Sequence, residues 1–365
     1  MIDKLPLAEK TNIQNWAFED LVLKDILGMT PYTALYEANI HTTDNQIILI
    51  DGKIIQAKVP EGIIVDADVS EESVTATNKL IDLNRQKVNS KLRIVVPENH
   101  AVKDAISIVV VAKERSLVHQ TEMVLEAGAS FDMVENYICN YQFNANIVSR
   151  FKIGENAKLK LSTLSDMADL AVVYHHKYAE IANDGVLDTT NFVINNTDLV
   201  FEDFTYLTGR GAEADVKTVS IASGGQKQNI TVRTENVADH TVGNIVNYGI
   251  VKDEAHLAFN GIGKIQKASK ASDNQQETRL LNLSKNAEAV ANPFLLIDEG
   301  DITAGHAASI GQLDEEQLYY LMSRGMSRAE AGKMIVSGFL APFVDALDDE
   351  MMREALAARI EAKLG

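Results

Sequence analysis

The residue with the strongest potential for metal chemistry is His306, which follows a glycine and lies between two acidic stretches. A neutral imidazole binds iron and other transition metals, and a site shared between two subunits needs only one ligand from each side. A single histidine without a second donor close by in the sequence also suits a structural role, in which the ring hydrogen-bonds a turn. Residue type alone leaves both interpretations of His306 open.

Two other features carry soft ligands. His175 and His176 are adjacent in a β-branched run, and neighbouring residues on a strand point to opposite faces, so this pair is not expected to bind one metal. Cys139 is the single cysteine and lies in an apolar run, which favours a core position. One cysteine excludes a disulfide framework and the cysteine cluster that a permanent iron–sulfur cluster or a structural zinc requires.

Two glycine-rich segments invite comparison with phosphate-binding loops. Residues 223–226 and 261–264 lack the P-loop spacing and do not open a helix, so both are predicted to be turns, as are Gly243 and Gly249. No nucleotide site is expected in the chain. No serine, histidine and acid can be assigned to a catalytic triad either, because that arrangement is spatial.

Composition limits the class of protein. The 365 residues include 34 basic and 52 acidic side chains, a formal charge of −18, which disfavours nucleic acid as a partner. The first residues contain no apolar stretch of a signal peptide. No window approaches the ~18 consecutive apolar residues of a transmembrane helix, so no membrane contact and a cytoplasmic location are expected.

The first region, residues 1–90, is predicted to mix helix and strand. Residues 15–21 suggest a short helix or an aromatic anchor. Residues 46–55 predict a hairpin, since two β-branched runs are joined by Asp51 and Gly52. Residues 59–65 predict another strand, and residues 71–88 have helical spacing.

Residues 91–311 are predicted to form a β core, since short runs of Val, Ile, Thr, Phe and Leu recur there between Gly, Asn, Asp and Ser. A small-residue phrase precedes several strands, as at Ala129, Ala157 and Ala255, but its spacing is uneven. A degenerate strand-and-turn unit is typical of a parallel β-helix. A β-sandwich gives a similar strand count, so this texture favours the β-helix only weakly.

Residues 312–365 are predicted to be helical. Residues 314–317 and 327–330 each match a capping box, an N-cap residue with Gln or Glu three positions later. Gly325 is placed to end the first helix in the left-handed conformation. Pro342 is expected to bend or restart the second helix, and residues 351–364 predict a third.

The same C-terminal stretch resembles a known family. The resemblance runs for some fifty residues in register, so it is more specific than a short motif. It rests on residues 293–298, 301–308, 311–321, 323–325, 330–331 and 338–340. These segments are similar to the signature of the SufB/SufD family of iron–sulfur cluster assembly proteins, with weaker similarity between residues 239 and 282.

The resemblance implies a mainly β protein with a right-handed parallel β-helix core. It implies a non-catalytic scaffold subunit that pairs with a SufB-like subunit through the β-helix end and carries one SufC ATPase on its C-terminal helices. No stably bound cofactor is then expected: ATP belongs to SufC, and an iron–sulfur cluster is held transiently at the SufB interface. A homodimer in isolation is compatible with the same resemblance.

One departure from the family pattern favours its SufD branch. SufB-type members have a cysteine in the strand region before the signature, where this chain has residues 278–284 without one. In SufD-type members the histidine of the Gly-His-Ala segment, here His306, is associated with nascent cluster assembly. Some of them have a cysteine two residues earlier, where this chain has Ala304, which leaves His306 as the soft ligand of the motif.

The C-terminal helices have more apolar positions than one narrow stripe needs, which suggests that a second face docks a partner. The candidate SufC-docking residues are Tyr319, Leu321, Arg324, Gly325, Ile335 and Phe339. Two alternatives stay open: a SufB-like subunit and, less favoured, a β-helix carbohydrate-active enzyme. The low aromatic content of 6% disfavours a sugar-binding enzyme, since sugars stack on aromatic rings.

Overall fold

A computed structural model describes residues 45–69, 78–102, 104–112, 116–139, 144–167, 172–347 and 350–364. The chain forms a parallel β-solenoid of about seven turns with helices at its C-terminal end. The first sheet contains β1 (Gln46–Ile50), β2 (Lys53–Lys58), β5 (Ile106–Ala112), β7 (Ser130–Cys139), β9 (Lys158–Met167), β11 (Val186–Val193), β13 (Glu213–Ala222), β15 (Val242–Val251), β17 (Ser272–Asn282) and β19 (Ile302–Gly311). The second contains β3 (Ile64–Asp66), β4 (Ser90–Val96), β6 (Leu117–Leu125), β8 (Ala145–Ile153), β10 (Val172–Ile181), β12 (Asp198–Leu207), β14 (Lys227–Asn236), β16 (His256–Ile265) and β18 (Glu288–Ile297).

From β4 onward, the chain alternates between the two sheets, so each rung of the solenoid adds one strand to each sheet. Neighbouring strands within a sheet are parallel and in register, as in β10 with β12 and β15 with β17. The mainly β class and the β-helix architecture are therefore confirmed. Three strands before residue 91 also join the sheets, and the hairpin predicted at Asp51 and Gly52 is the antiparallel pair β1–β2.

Strand alternation fills the interior of the solenoid. Inward positions are mostly Val, Ile, Leu, Phe and Ala, and they form one apolar cluster from Ile47 to Ala287. In β17 the alternation is plain, because Asn274, Gln276 and Leu280 are buried whereas Arg279 is exposed. Each strand thus presents one face to the interior, as the pleat of a β-strand requires.

One corner of the solenoid is a ladder of turns. At this corner each rung has a residue with positive φ in an equivalent position, and these residues are 27–31 positions apart. Each donates its N–H to a carbonyl in the next corner at 2.7–3.3 Å. The ladder consists of Asn99, Gly128, Asn156, Asp184, Gly211, His240 and Ala271. Glycine, asparagine and aspartate recur here because they tolerate the left-handed conformation best.

The predicted turn at residues 223–226 is confirmed, but the turns predicted at residues 261–264 and at Gly243 and Gly249 are wrong. Gly261 and Gly263 lie inside β16, and the other two glycines lie inside β15. A Cβ at Gly261 would stand 2.7 Å from Gln276 Oε1, and one at Gly249 would stand 2.6 Å from Leu280 Cδ2. These glycines make room for large side chains that cross the interior.

The described residues contain four helices: α1 (Lys79–Lys87), α2 (Glu315–Ser323), α3 (Arg328–Val344) and α4 (Glu350–Leu364). Helix α1 packs on the outer face of the second sheet through Ile81, next to Tyr174 and Val200. It is also held by Asn84, whose amide donates to the backbone carbonyls of His119 and Asn146. Residues 15–21, for which a helix or anchor is predicted, lie outside the described residues.

Helices α3 and α4 cover the outer face of the first sheet. Leu340 and Phe343 of α3 and Leu356 of α4 join a cluster with Phe192 and Ile250 of the strands. The end of α4 is fixed by hydrogen bonds, since Lys252 Nζ donates to the Leu364 carbonyl at 2.9 Å.

The predicted signals at the helix ends have mixed outcomes. The capping box at Ser327 and Glu330 is confirmed. At the other predicted box, the Asp314 side chain accepts hydrogen bonds from the backbone N–H groups of Glu316 and Gln317. Gly325, with φ of 100°, ends α2 as predicted. Helix α3 continues two residues beyond Pro342 before it ends.

Candidate functional site

His306 lies in β19, the last strand of the first sheet, at the open end of the solenoid. It pairs in register with Gln276 of β17, which faces the interior. By strand alternation His306 therefore has an inward register, but no further rung covers it among the described residues, and its side chain is exposed there. The arrangement leaves the imidazole at the mouth of the solenoid, where a second protein could supply further ligands.

Apolar side chains surround this open end. Phe294, Leu296 and Ile297 of β18 and Ile310 of β19 are between 37% and 51% exposed, although they continue columns that are more buried in earlier rungs. Both terminal strands also present an unpaired backbone edge in the described chain. An apolar rim beside two free strand edges is a surface suited to pairing with another chain.

The interior of the middle rungs is polar at one level, around a fully buried lysine. Lys177 Nζ donates to Thr163 Oγ1 at 3.2 Å, Thr189 Oγ1 at 3.0 Å and Asn191 Oδ1 at 2.6 Å. Asp203 lies 3.6 Å from the same ammonium and accepts from the Asn191 amide at 2.9 Å. A buried charge needs such partners, and here the pair and its hydrogen-bond partners link strands β9 to β12.

Glu135 extends this polar level by one rung. Burial raises the pKa of its carboxyl, while the Lys177 charge and hydrogen bonds from Tyr137 and Thr163 oppose that rise. Burial and the adjacent carboxylate also raise the pKa of Tyr137 well above its usual value. This level of the interior therefore holds coupled ionisable groups that sequence alternation alone did not indicate.

His175 and His176 diverge, as predicted from their adjacency. The His175 ring faces inward, edge-on to Tyr137 and Phe201 at 5.1 and 5.3 Å between centroids, and burial lowers its pKa. His176 faces outward beneath α1, with Nδ1 3.0 Å from Glu202 Oε2. Among the described residues, no group of three or more His, Cys, Asp and Glu could hold a metal ion.

The candidate docking surface on the C-terminal helices is largely exposed. Tyr319, Tyr320, Met322 and Met334 are 41–75% exposed, a concentration of large apolar side chains away from the sheets. Arg324 covers the Tyr320 ring at 5.3 Å, which keeps a cation beside this apolar surface.

The other candidate docking residues differ in their exposure to solvent. Leu321 and Ile335 are half-buried, and Gly325 forms the exposed turn after α2. Phe339 packs on Tyr248 of β15 at 4.7 Å, so part of its surface is used within the chain. The described residues contain no helix long and apolar enough to cross a membrane.

Comparison with known proteins identifies the family. Residues 108–339 match the model of the SUF system FeS cluster assembly SufBD core domain, a span from β5 to α3 that includes His306. The chain belongs to the SufBD family. The SufBD match covers the solenoid from within β5 to the open end, together with helix α2 and most of helix α3.

Individual proteins that are similar to this chain are named as members of the same family. It is 31% identical to iron-sulfur cluster assembly protein SufD of Bacillus subtilis, over 99% of the chain and 90% of the relative. It is 26% identical to SufD of Escherichia coli, over 66% of the chain and 57% of that protein. A SufBD family protein of Staphylococcus saprophyticus is 24% identical over 80% of the chain and 64% of its own length.

Proposed function

We propose that this SufBD family member is a SufD-type, non-catalytic scaffold subunit of an iron–sulfur cluster assembly complex. The observation that carries the proposal is the exposed apolar end of the solenoid, with His306 at its mouth, in a chain similar to SufD proteins along nearly its whole length. A SufB-like subunit pairs with this end through Phe294, Leu296 and Ile310. The growing cluster is the cargo of that interface.

His306 contributes one soft ligand to the cluster, and the partner contributes the others. Support comes from its exposed position and from the absence of a metal-binding group of three or more His, Cys, Asp and Glu among the described residues. A site with one donor on this side requires donors from another chain. The cluster is therefore transient and bound across the interface.

A SufC-type ATPase docks on α2 and α3, and ATP binds to that partner. Two observations support this part of the proposal. Tyr319 is the most exposed large apolar side chain among the described residues, and Arg324 lies nearby over the Tyr320 ring. Large aromatic and arginine side chains are those that most often dominate protein–protein binding energy.

Co-expression of the tagged chain with SufB-type and SufC-type proteins tests the proposal. We expect both partners to co-purify, with ATP hydrolysis dependent on the SufC-type protein. His306→Ala should preserve the complex. It should reduce the amount of reconstituted cluster, measured by visible absorption, by at least about tenfold, because one ligand to the cluster is lost.

Gln275→Ala, on the outer face of the neighbouring strand, is the matched control and should assemble the cluster normally. Recovery of neither partner from folded protein would overturn the scaffold role. Cluster assembly by this chain without a separate SufB-type protein would instead indicate a SufB-like function.

A further inference from the structure

Three carboxamide side chains form a layer inside the last closed rungs of the solenoid. Asn247 of β15 and Asn274 and Gln276 of β17 all face inward and are at most 5% exposed. Asn274 and Gln276 are two positions apart on one strand, and the Asn247 Nδ2 donates to Thr278 Oγ1 at 3.4 Å on that same strand. We call these three residues the amide layer.

The opposite wall of the interior is shaped for this layer by two glycines of β16. A Cβ at Gly261 would stand 2.7 Å from Gln276 Oε1 and 3.8 Å from Asn247 Nδ2. A Cβ at Gly263 would stand 2.6 Å from Gln276 Nε2 and overlap Asn274 Oδ1. The amides therefore extend across the interior into the space that a side chain at Gly261 or Gly263 would occupy.

The nitrogen of each β17 amide has an acceptor that fixes its orientation. Gln276 Nε2 donates to the Phe294 carbonyl at 2.7 Å. Asn274 Nδ2 donates to Asn236 Oδ1 at 2.8 Å and to Thr234 Oγ1 at 3.0 Å. Exchanging nitrogen and oxygen would place two acceptors against each other, so the two oxygens must point into the layer.

These oxygens have no donor among the described residues. Gln276 Oε1, Asn274 Oδ1 and Asn247 Oδ1 are all buried without a hydrogen-bond partner. A buried carbonyl oxygen that lacks a donor keeps its full desolvation penalty, and such oxygens are few in native proteins. A bound water removes that penalty for each oxygen to which it donates.

The neutral side chains of the amide layer indicate which bound molecule donates to its oxygens. The three members are neutral amides, with Thr278 and two glycines beside them, and hard cations need six or more oxygen ligands and usually carboxylates. Water offers two protons to carbonyl oxygens and commonly fills such interior positions. We infer that the amide layer is an internal water-binding site, built by Asn247, Asn274 and Gln276 and shaped by Gly261 and Gly263.

The site has a defined place relative to the open end. Gln276 is the register partner of His306, so the water lies one rung beneath the imidazole. It ties β15, β17 and the Phe294 carbonyl of β18 together under β19, the terminal strand of its sheet in the described part of the chain. The bound water therefore stiffens the base on which the exposed strand rests.

Water binding needs no partner protein, so it is tested on the isolated full-length chain and is independent of the assembly role. Magnetic relaxation dispersion of water nuclei detects internal water that exchanges slowly. We expect such a signal in the wild type, loss of most of its amplitude from this site in Gln276→Met, and no change in Gln275→Met. Gln275 is the matched control because it lies on the outer face, where its amide donates to Asp273.

Gly261→Ala gives a second variant that removes no amide but places a methyl in the site, 2.7 Å from where Gln276 Oε1 now lies. It should also lose the signal, and amide hydrogen exchange in β19 should accelerate in both site variants. Equal signals in the wild type, Gln276→Met and Gly261→Ala would overturn the inference. A crystal grown with rubidium that showed an anomalous peak in the layer would overturn it in favour of a cation.

Discussion

Lys177 is the residue whose position most departs from ordinary solenoid packing. It is 2% exposed, and its ammonium is held by two threonines, Asn191 and the Asp203 carboxylate. Removing one partner of a buried ion pair leaves the other charged and desolvated, at a cost of about 3–5 kcal/mol. The pair therefore constrains how β9 to β12 stack.

We expect Lys177→Met to lower the free energy of unfolding by about 3–5 kcal/mol, measured by urea denaturation. The double variant Lys177→Met with Asp203→Leu should lose less than the single one, because the Asp203 charge is then no longer left without its partner. Lys217→Met removes a half-exposed pair with Asp188 and should cost at most about 1 kcal/mol. Equal losses for Lys177→Met and Lys217→Met would contradict the role assigned to burial.

His119 makes stability depend on pH. Burial lowers its pKa from 6.5 to about 3. As pH falls below about 6.5, the unfolded chain binds a proton that the folded chain does not, so stability is lost on acidification towards pH 3. His175, whose pKa burial also lowers, acts in the same direction, and Glu135, whose pKa burial raises, acts in the opposite one.

Comparing His119→Gln with the wild type isolates this contribution. Between pH 6.5 and 4.5 the slope of unfolding free energy against pH should be smaller in the variant by up to about 1.4 kcal/mol per pH unit, the value for one proton. Urea unfolding at several pH values within that window measures both slopes. Parallel slopes would show that His119 takes up its proton equally in both states.

For individual residues, the sequence predicted the orientation of some side chains and missed the polar interior. Adjacency alone separated His175 from His176, because strand alternation is strict. The polar interior was missed since inward positions are expected to be apolar, and Lys177, Asp203 and Glu135 gain partners only when strands distant in sequence stack. His306 was found through the family signature, and its exposure at the open end required the strand order.

The corner ladder is the element that sets the spacing of rungs. At the corner formed by residues 208–212, a Cβ on Gly209 would overlap the Asn183 backbone nitrogen of the preceding rung. Gly209 N–H also donates to the Ile181 carbonyl at 2.9 Å. Glycine is thus needed here for close approach of two backbones.

Gly209→Ala should therefore lower the free energy of unfolding by about 1–3 kcal/mol, the usual cost of overpacking, as measured by urea denaturation. Gly225→Ala, at the other corner, is the matched control, since a Cβ there meets nothing within 4 Å. It should change stability by no more than about 0.5 kcal/mol. Similar losses in both variants would mean that chain flexibility, rather than backbone contact, explains the glycine.

The repeat behind this ladder was hidden in the sequence. The recurring small-residue phrases come from both corners, with Ala129 and Ala157 at one and Ala255 at the other, so their spacing looked uneven. Taken at one corner alone, positive-φ residues recur every 27–31 positions. Hairpin, caps and strands were predictable from local chemistry, whereas glycines inside β15 and β16 were mistaken for turns because their partners lie on other strands.

At the scale of the whole molecule, the described residues present two separate apolar surfaces. The open end of the solenoid carries Ile310, 51% exposed, and the C-terminal helices carry Tyr319, 75% exposed. The helices are anchored on the outer face of the first sheet through Leu340 and Phe343 rather than across the open end. A scaffold with two surfaces of this kind can hold two partners at once.

The two surfaces should be separable by single substitutions. Ile310→Lys places a charge in the apolar rim and should weaken pairing with a SufB-type subunit at least about tenfold, equivalent to 1.4 kcal/mol, while SufC-type binding persists. Tyr319→Lys should do the reverse. Because both side chains are exposed, neither change should alter unfolding free energy by more than about 0.5 kcal/mol. Pull-downs and isothermal titration with each partner measure the pattern, and loss of both partners from either folded variant would show that the surfaces are coupled.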